Sequence, residues 1–270
     1  MGAEELEGKG EVVLLPLGTG SIRMPGGRAA SGYRLTYAGE RLHLDFGPGN
    51  LLRLAEAGEE GREVERILFS HYHIDHHADL LPLLFLRSCM RYDAALGQEK
   101  RTLRIYGPKG LREIYEGWRS IYGSWVEDEG LEIHEFGGGE GGELRIGSFG
   151  LRAFPALHSQ PAFCYRIEMG GKVLAYSGDS GLGPGLVEAC RGADYALLEC
   201  SFPEPSPGHL CPAEIGQLVE EARPKRLGLS HFYPEMEALL RGGEAEKAGI
   251  AFPGLESEVD LLQDLVPRTL

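Results

Sequence analysis

The sequence of 270 residues contains few cysteines and no pair of cysteines close together. Such spacing provides neither a Cys-x-x-Cys metal knuckle nor the density of a disulfide framework. We therefore expect a reduced, cytoplasmic protein. The five residues in question are Cys89, Cys164, Cys190, Cys200 and Cys211.

Basic residues and long apolar runs are also scarce. The chain has 27 Lys and Arg against 41 Asp and Glu, a formal charge of −14, which excludes a general basic-patch nucleic-acid binder. The longest apolar stretch, Leu80 to Leu86, contains Pro82 and is far shorter than the roughly 20 residues that cross a bilayer. The acidic start of the chain lacks the pattern of a signal peptide. We expect no membrane partner.

What the sequence has in abundance is glycine, with 40 residues, many of them between short apolar runs. A β-meander followed by β-α units is predicted for residues 1–136, and the same order recurs over 143–270, with the glycine-rich stretch 137–142 as a loop between them. An α/β chain of this length is routinely a single domain, so we expect one domain over 1–270. This order predicts two mixed β-sheets packed face to face, flanked by helices.

A histidine-rich stretch follows the predicted buried strand at 66–70. In an extended segment His71 and His73 point to one side, and Asp75 and His76 can address a second point as the chain turns into a helix. A chance cluster of surface histidines would not follow directly on an apolar strand. Imidazole and carboxylate are ligands for zinc, with manganese or iron compatible with the same chemistry. The neighbouring His77 is expected to face solvent or to support the cluster.

The pattern His71-x-His73-x-Asp75-His76 resembles the signature of the metallo-β-lactamase superfamily, whose members close the site with three further residues after strands. Here His158, Asp179 and His231 stand in those positions. The resemblance implies a four-layer αβ/βα sandwich and two divalent metal ions, zinc by first expectation.

The resemblance also implies a role for each ligand. One metal would be held by His71, His73 and His158, the other by Asp75, His76 and His231, with Asp179 between them. A bridging hydroxide oriented by Asp75 would attack the substrate. Asp45 in Asp45-Phe46-Gly47-Pro48-Gly49 resembles the first motif of the superfamily, whose Asp supports the site without binding metal.

Several motifs are similar to the ribonuclease Z group, the tRNA three-prime-processing endonucleases. They include Leu17-Gly18-Thr19-Gly20-Ser21, Tyr106-Gly107-Pro108-Lys109-Gly110, Leu198-Glu199-Cys200-Ser201-Phe202 and Gly208-His209-Leu210. The resemblance implies that Glu199 supports the site and that His209 binds the scissile phosphate or protonates the leaving oxygen. Leu198 stands where that group has a histidine. As an alternative, His209 is simply a neighbour of the N-terminus of the following helix.

The chain departs from ribonuclease Z in the interval between His158 and Asp179, where that group inserts its tRNA-grasping arm. The interval here is long enough only for two strands and a turn, and the acidic charge opposes a large RNA partner. We therefore expect a metal-dependent hydrolase of a small anionic phosphodiester or related ester.

Other activities and assemblies are also compatible with the sequence. The same metals could serve a lactone, thioester or sulfate-ester hydrolase, and the chain could be a non-enzymatic metal-dependent binding or sensor protein. A homodimer is also expected, because members of the superfamily often pair.

Overall fold

The computed structural model describes residues 10–89, 101–136, 142–241 and 259–270. We number its strands in chain order: β1 (Val13–Gly18), β2 (Gly32–Tyr37), β3 (Glu40–Leu44), β4 (Arg66–Leu68), β5 (Leu103–Pro108), β6 (Leu131–Phe136), β7 (Gly142–Ile146), β8 (Phe149–Pro155), β9 (Phe163–Met169), β10 (Lys172–Tyr176), β11 (Tyr195–Glu199), β12 (Leu227–Ser230), β13 (Val259–Leu261) and β14 (Arg268–Thr269). The helices are α1 (Asn50–Glu56), α2 (Ile74–His77), α3 (Leu80–Cys89), α4 (Leu111–Tyr122), α5 (Pro184–Cys190), α6 (Pro212–Ala222) and α7 (Pro234–Arg241).

The strands form two seven-stranded sheets. The order is β14-β1-β2-β3-β4-β5-β6 in the first sheet and β13-β12-β11-β10-β9-β8-β7 in the second. The strands β1 to β3 pair antiparallel, and β3 to β6 pair parallel. Likewise β7 to β10 pair antiparallel and β10 to β13 parallel. The predicted repetition of a meander followed by β-α units is therefore present in the sheet topology.

Three apolar cores separate four layers. The central core lies between the sheets and includes Leu35 of β2 and Tyr165 of β9. Because successive strand residues point to opposite faces, Cys164 of β9 instead joins the outer core beneath α5 and α6. The other outer core packs α1, α3 and α4 against the first sheet. The architecture is the predicted αβ/βα sandwich of two mixed sheets flanked by helices.

Some boundaries differ from the sequence prediction. The helix expected from about Ala78 is α3, which begins at Leu80, and a separate short helix, α2, precedes it, so that Asp75 and His76 lie in a helical turn. Most of the glycine-rich loop 137–142 lies outside the described residues, and Gly142 begins β7. No helix among the described parts of the chain is long and apolar enough to cross a membrane, and all five cysteines carry free thiols.

The site follows from where the strands end. Five strands lead directly into loops that carry predicted site residues at one edge of the sandwich: β3 into Asp45, β4 into the histidine-rich segment, β8 into His158, β10 into Asp179 and β12 into His231. Residues separated by more than 150 positions in sequence thus converge on one edge, as is usual for functional loops on a rigid scaffold.

Candidate metal centre

The histidine-rich segment is anchored between the two sheets. Phe69 donates its N–H to Tyr106 of β5, and the carbonyl of Ser70 accepts the N–H of Phe163 of β9. His71 and His73 are extended, and α2 then begins at Ile74. Gly47 permits the close approach of the preceding loop, because a Cβ there would lie 1.9 Å from the carbonyl oxygen of Asp75. The segment can therefore offer ligands in two directions.

We call His71, His73 and His158 the His71 group. Their ligand atoms, together with a carboxylate oxygen of Asp179, lie within 4.8 Å of one another. His158 Nε2 is 3.1 Å from His73 Nδ1. Asp179 Oδ2 is 3.9 Å from both His71 Nε2 and His158 Nε2.

We call Asp75, His76 and His231 the His76 group, and their ligand atoms also lie within 4.8 Å of one another. His76 Nε2 is 3.3 Å from His231 Nε2, which is 3.4 Å from Asp75 Oδ2. Asp179 Oδ1 is 3.2 Å from His76 Nε2 and 3.4 Å from His231 Nε2. Asp179 thus faces the His71 group with one oxygen and the His76 group with the other.

Four of the imidazoles are fixed through their Nδ1 atoms. His76 Nδ1 contacts Asp45 Oδ2 at 2.7 Å, and His158 Nδ1 contacts the carbonyl of Gly208 at 2.9 Å. The hydroxyls of Ser70 and Ser201 donate to Asp45 and Glu199, so each can accept the Nδ1–H of its histidine, His71 at 3.0 Å and His231 at 2.9 Å. Because each Nδ1 carries the proton, each Nε2 presents a lone pair to the centre.

This arrangement fits divalent cations. In their neutral Nδ1–H forms, His76 and His231 direct Nε2 lone pairs at each other across 3.3 Å, which is repulsive unless a cation or a proton lies between them. Among the described residues, His71 Nε2 and Asp179 Oδ1 are buried and have no hydrogen-bond partner. Buried polar atoms are normally paired, and imidazole with carboxylate is a ligand set of Zn²⁺.

The electrostatics of the two groups differ. Burial alone would lower the pKa of His76, but the carboxylates of Asp179 and Asp45 raise it well above its usual value. For His71, burial and the neighbouring His76 hold the pKa well below its usual value. Asp179 is buried, yet His231 and His76 keep its pKa well below the usual range. Protons and metal ions therefore compete mainly in the His76 group.

Asp45 lies behind His76 and does not face the ligand atoms. Its carboxylate accepts hydrogen bonds from the Ser70 N–H at 2.6 Å, the Ser70 hydroxyl at 2.7 Å and the Tyr176 hydroxyl at 2.5 Å. These contacts, together with His76, leave it fully occupied as a supporting residue.

The half-buried His209 and the buried Glu199 form a pair beside the ligand groups. His209 Nδ1 lies 3.1 and 3.2 Å from the two oxygens of Glu199 and 3.9 Å from Asp179 Oδ2. Although burial alone would lower it, the hydrogen bond and charge of Glu199 raise the pKa of His209 to about 9. Glu199 also accepts hydrogen bonds from the Ser180 N–H and the Ser201 hydroxyl. Asp179, Glu199, His209 and His231 could hold a metal by proximity alone, but these hydrogen bonds already occupy Glu199 and His209 Nδ1.

His77 does not face solvent, contrary to one of the two expectations for it. Its ring stacks on Trp118 with centroids 5.7 Å apart, and its Nδ1 donates to the carbonyl of His73 at 2.9 Å. It therefore packs beneath the segment that carries the ligands.

Several residues at the site were not predicted from the sequence. Ser70 and Ser201 orient histidines, and the N–H of Ile22 donates to Asp75 Oδ2 at 3.1 Å. Tyr233 meets His231 edge to face with ring centroids 5.9 Å apart, and burial, together with the charges of Asp75 and Asp179, raises its pKa to about 12. The available signal for Ser70, Ser201 and Tyr233 was their position within two residues of predicted site residues.

Comparison with known proteins places the chain in a family. Residues 40–232, which include every predicted ligand, match the model of the Beta-lactamase superfamily domain. The chain is 32% identical to the uncharacterized protein Rv1339 of Mycobacterium tuberculosis, over 77% of this chain and 76% of that protein. It is 31% identical to ribonuclease Z of Methanopyrus kandleri, over 58% of this chain and 50% of that enzyme.

Two solved structures share the fold over nearly the whole chain. The metallo-β-lactamase fold protein YhfI of Bacillus subtilis superimposes with a TM-score of 0.78 at 23% identity, covering 96% of this chain and 99% of YhfI. A diphosphatase from the PhnP family superimposes with a TM-score of 0.69 at 17% identity, covering 96% and 97%. The sequence match and the relative at 32% identity show that the chain belongs to the metallo-β-lactamase superfamily of metal-dependent hydrolases, with a relationship to ribonuclease Z.

Proposed function

We propose that the protein hydrolyses a small phosphodiester with two divalent cations, Zn²⁺ by the chemistry of the donors. The His71 group would hold one cation and the His76 group the other, with Asp179 shared between them. When bound, such ions lower the pKa of a water molecule and stabilise the negative charge that develops on the attacked phosphoryl group.

The observation that most directly supports a phosphodiester substrate is the His209–Glu199 pair. Glu199 accepts the Nδ1–H of His209 at 3.1 Å and stabilises the imidazolium form. Among the described residues Nε2 has no hydrogen-bond partner, so its proton is available to a phosphate oxygen or to the leaving alkoxide. A cationic donor beside the ligand groups suits an anionic substrate better than a neutral lactone or thioester.

The second residue with an assigned role in the reaction is Asp75. Its Oδ2 accepts the N–H of Ile22 at 3.1 Å and lies 3.4 Å from His231 Nε2, which fixes the carboxylate. We assign to Asp75 the orientation of the attacking water. The charge of Glu199 stabilises the cationic form of His209, which donates a hydrogen bond to a phosphate oxygen, or gives its proton to the leaving alkoxide and regains one from solvent.

Two features support a small substrate. The residues between His158 and Asp179 form only β9, a tight turn and β10, which leaves no room in that interval for a tRNA-grasping arm. The charge of −14 opposes the counterion-release contribution on which large RNA ligands depend.

The test is hydrolysis of bis(p-nitrophenyl) phosphate by protein reconstituted with Zn²⁺ or Mn²⁺, beside a panel of a lactone, a thioester and a sulfate ester. We expect the phosphodiester to be the best substrate. The variant His209→Ala should lower kcat by about a hundredfold or more, the usual contribution of a positioned proton donor. His134→Ala changes an exposed histidine of β6 and should leave kcat unchanged.

Faster hydrolysis of carboxylic or sulfate esters would contradict the phosphodiester assignment. Absence of turnover on the whole panel at full metal occupancy, with the wild type and Asp75→Ala indistinguishable, would instead indicate a non-enzymatic metal-dependent protein.

A further inference from the structure

The rim of the candidate metal centre carries exposed apolar side chains. Ile74 is 59% exposed, Leu157 56% and Ile22 45%. Each is tied to a ligand: Ile74 lies between His73 and Asp75 in sequence, Leu157 precedes His158, and Ile22 donates its N–H to Asp75. Single exposed apolar residues are ordinary, but these three are all adjacent to ligands of one charged centre, where an apolar part of a ligand could contact them.

A pair of stacked aromatic rings adjoins the same centre. The rings of Phe202 and Tyr233 are stacked, with centroids 4.4 Å apart and an angle of 30° between their planes. The loops after β11 and β12 run side by side here, since Tyr233 donates its N–H to the carbonyl of Ser201 at 3.2 Å. Both rings are half-buried, so the pair presents part of its surface to solvent.

The ring pair is within reach of the reacting groups. The rings of Phe202 and His209 meet edge to face with centroids 5.6 Å apart, and the ring centroid of Tyr233 lies 6.1 Å from that of His209 and 5.9 Å from that of His231. A substrate whose phosphate offers a non-leaving oxygen to His209 would therefore extend the ester group that it retains across these rings.

The positive charge beside Ile22 is already paired. Arg23, which follows Ile22, pairs with Glu235 at 2.7 Å. Arg23 is therefore not free to bind a second charge on the substrate, and the side chains that flank His209 here, Phe202 and Tyr233, are aromatic.

We propose that Phe202 and Tyr233 determine specificity by stacking on a planar aromatic ring, such as a nucleobase, in the ester group that the phosphodiester retains after hydrolysis. The inference rests on the proposed function, because the phosphate is taken to occupy the metal centre. Stacking of a base on an aromatic side chain typically strengthens binding by about 5- to 150-fold.

Three phosphodiesters with the same p-nitrophenolate leaving group separate the possibilities. Their second ester group is thymidine, which is planar and aromatic, hexyl, which is apolar but not planar, or methyl, which is small. For the metal-reconstituted full chain we expect kcat/KM for the thymidine ester to exceed that for the methyl ester by about 10- to 100-fold, with the hexyl ester well below the thymidine ester.

Variants of Phe202 test the stacking. Phe202→Leu should reduce the thymidine-to-methyl ratio of kcat/KM by about tenfold, while Phe202→Trp should maintain it. The control Phe85→Leu removes an exposed aromatic ring of α3 and should not change the ratio. Melting temperatures of all variants show whether they fold.

A binding measurement is independent of turnover. Fluorescence of the Phe202→Trp variant should be quenched by thymidine 5′-monophosphate and not by inorganic phosphate. Equal hexyl and thymidine rates, or a ratio unchanged in Phe202→Leu, would overturn the stacking proposal alone. Failure to hydrolyse any of the three esters would count against the proposed function, and absence of quenching would then reject the stacking site as well.

Discussion

The two ligand groups differ in how firmly the protein holds them. In the His76 group, His76 and His231 are buried and are fixed by Asp45 and Ser201, and Asp75 accepts a backbone N–H. In the His71 group, His73 is exposed, and its supporting contact is the hydroxyl of Ser159 at 3.2 Å. Because outer contacts set the orientation and basicity of metal-binding histidines, we expect the His76 group to bind its cation more tightly than the His71 group.

The largest expected effect is at the residue that both groups share. Asp179→Asn removes the charge that faces each group, so it should reduce the metal bound by both groups and lower kcat by more than about a hundredfold. Loss of a residue that only supports a metal ligand usually costs about 10- to 100-fold. Metal analysis and phosphodiester kinetics measure this. Loss of metal from one group alone would mean that Asp179 is not shared.

The variant Asp45→Asn tests the difference in cation affinity between the two groups. The amide cannot replace the carboxylate that orients His76, so metal affinity of the His76 group should fall by about 10- to 100-fold. Competition with a chelator measures the two affinities. Ser159→Ala, which removes the exposed contact of His73, is the matched change in the other group and should have a much smaller effect. Equal losses from the two variants would contradict the difference between the groups.

Much of this metal centre could be predicted from the sequence because its ligands either lie close together in the chain or directly follow a strand. His71, His73, Asp75 and His76 lie within six residues, and His158, Asp179 and His231 each follow an apolar strand. The two sheets were predictable from the alternation of strand and helix patterns.

Contacts over long separations could not be predicted. Asp264, 245 residues from Thr19, accepts both its N–H and its hydroxyl, at 3.0 and 2.7 Å. The stacking of Phe202 on Tyr233 likewise depends on two loops that meet only in the folded protein. The strand β6 was missed because its side chains are partly exposed and the strand contains charged residues.

The groups should also differ in their response to pH. Nearby carboxylates raise the pKa of His76 and His231, which favours their protonation when no cation is bound, whereas burial lowers the pKa of His71 and His158. Metal binding to the His76 group should release protons, and its affinity should rise by about tenfold per pH unit for each proton released, until the pH exceeds the raised pKa values. Calorimetry in buffers of different ionisation enthalpy measures the release. Equal proton release from both groups would contradict this prediction.

The smallest expected effect lies far from the ligands. Besides Thr19, Asp264 accepts the N–H of Ala29 at 2.7 Å, and so it anchors the loop whose Ile22 N–H reaches Asp75. Asp264→Asn should therefore weaken metal binding by the His76 group by about threefold, within the usual range for coupling through a loop.

Asp260→Asn is the matched control for this change. Asp260 pairs with Arg226 and Arg268 in the same C-terminal segment without contacting that loop. An equal effect of the two variants on metal affinity would indicate a general loss of stability, with no specific role for Asp264.

The most direct test of the two-group centre is a crystal structure with anomalous scattering measured at the zinc edge. We predict two zinc peaks, one bordered by His71, His73 and His158 and the other by Asp75, His76 and His231, with Asp179 touching both. A single peak, or a peak bordered by Glu199 and His209, would contradict a centre in which two ligand groups share Asp179.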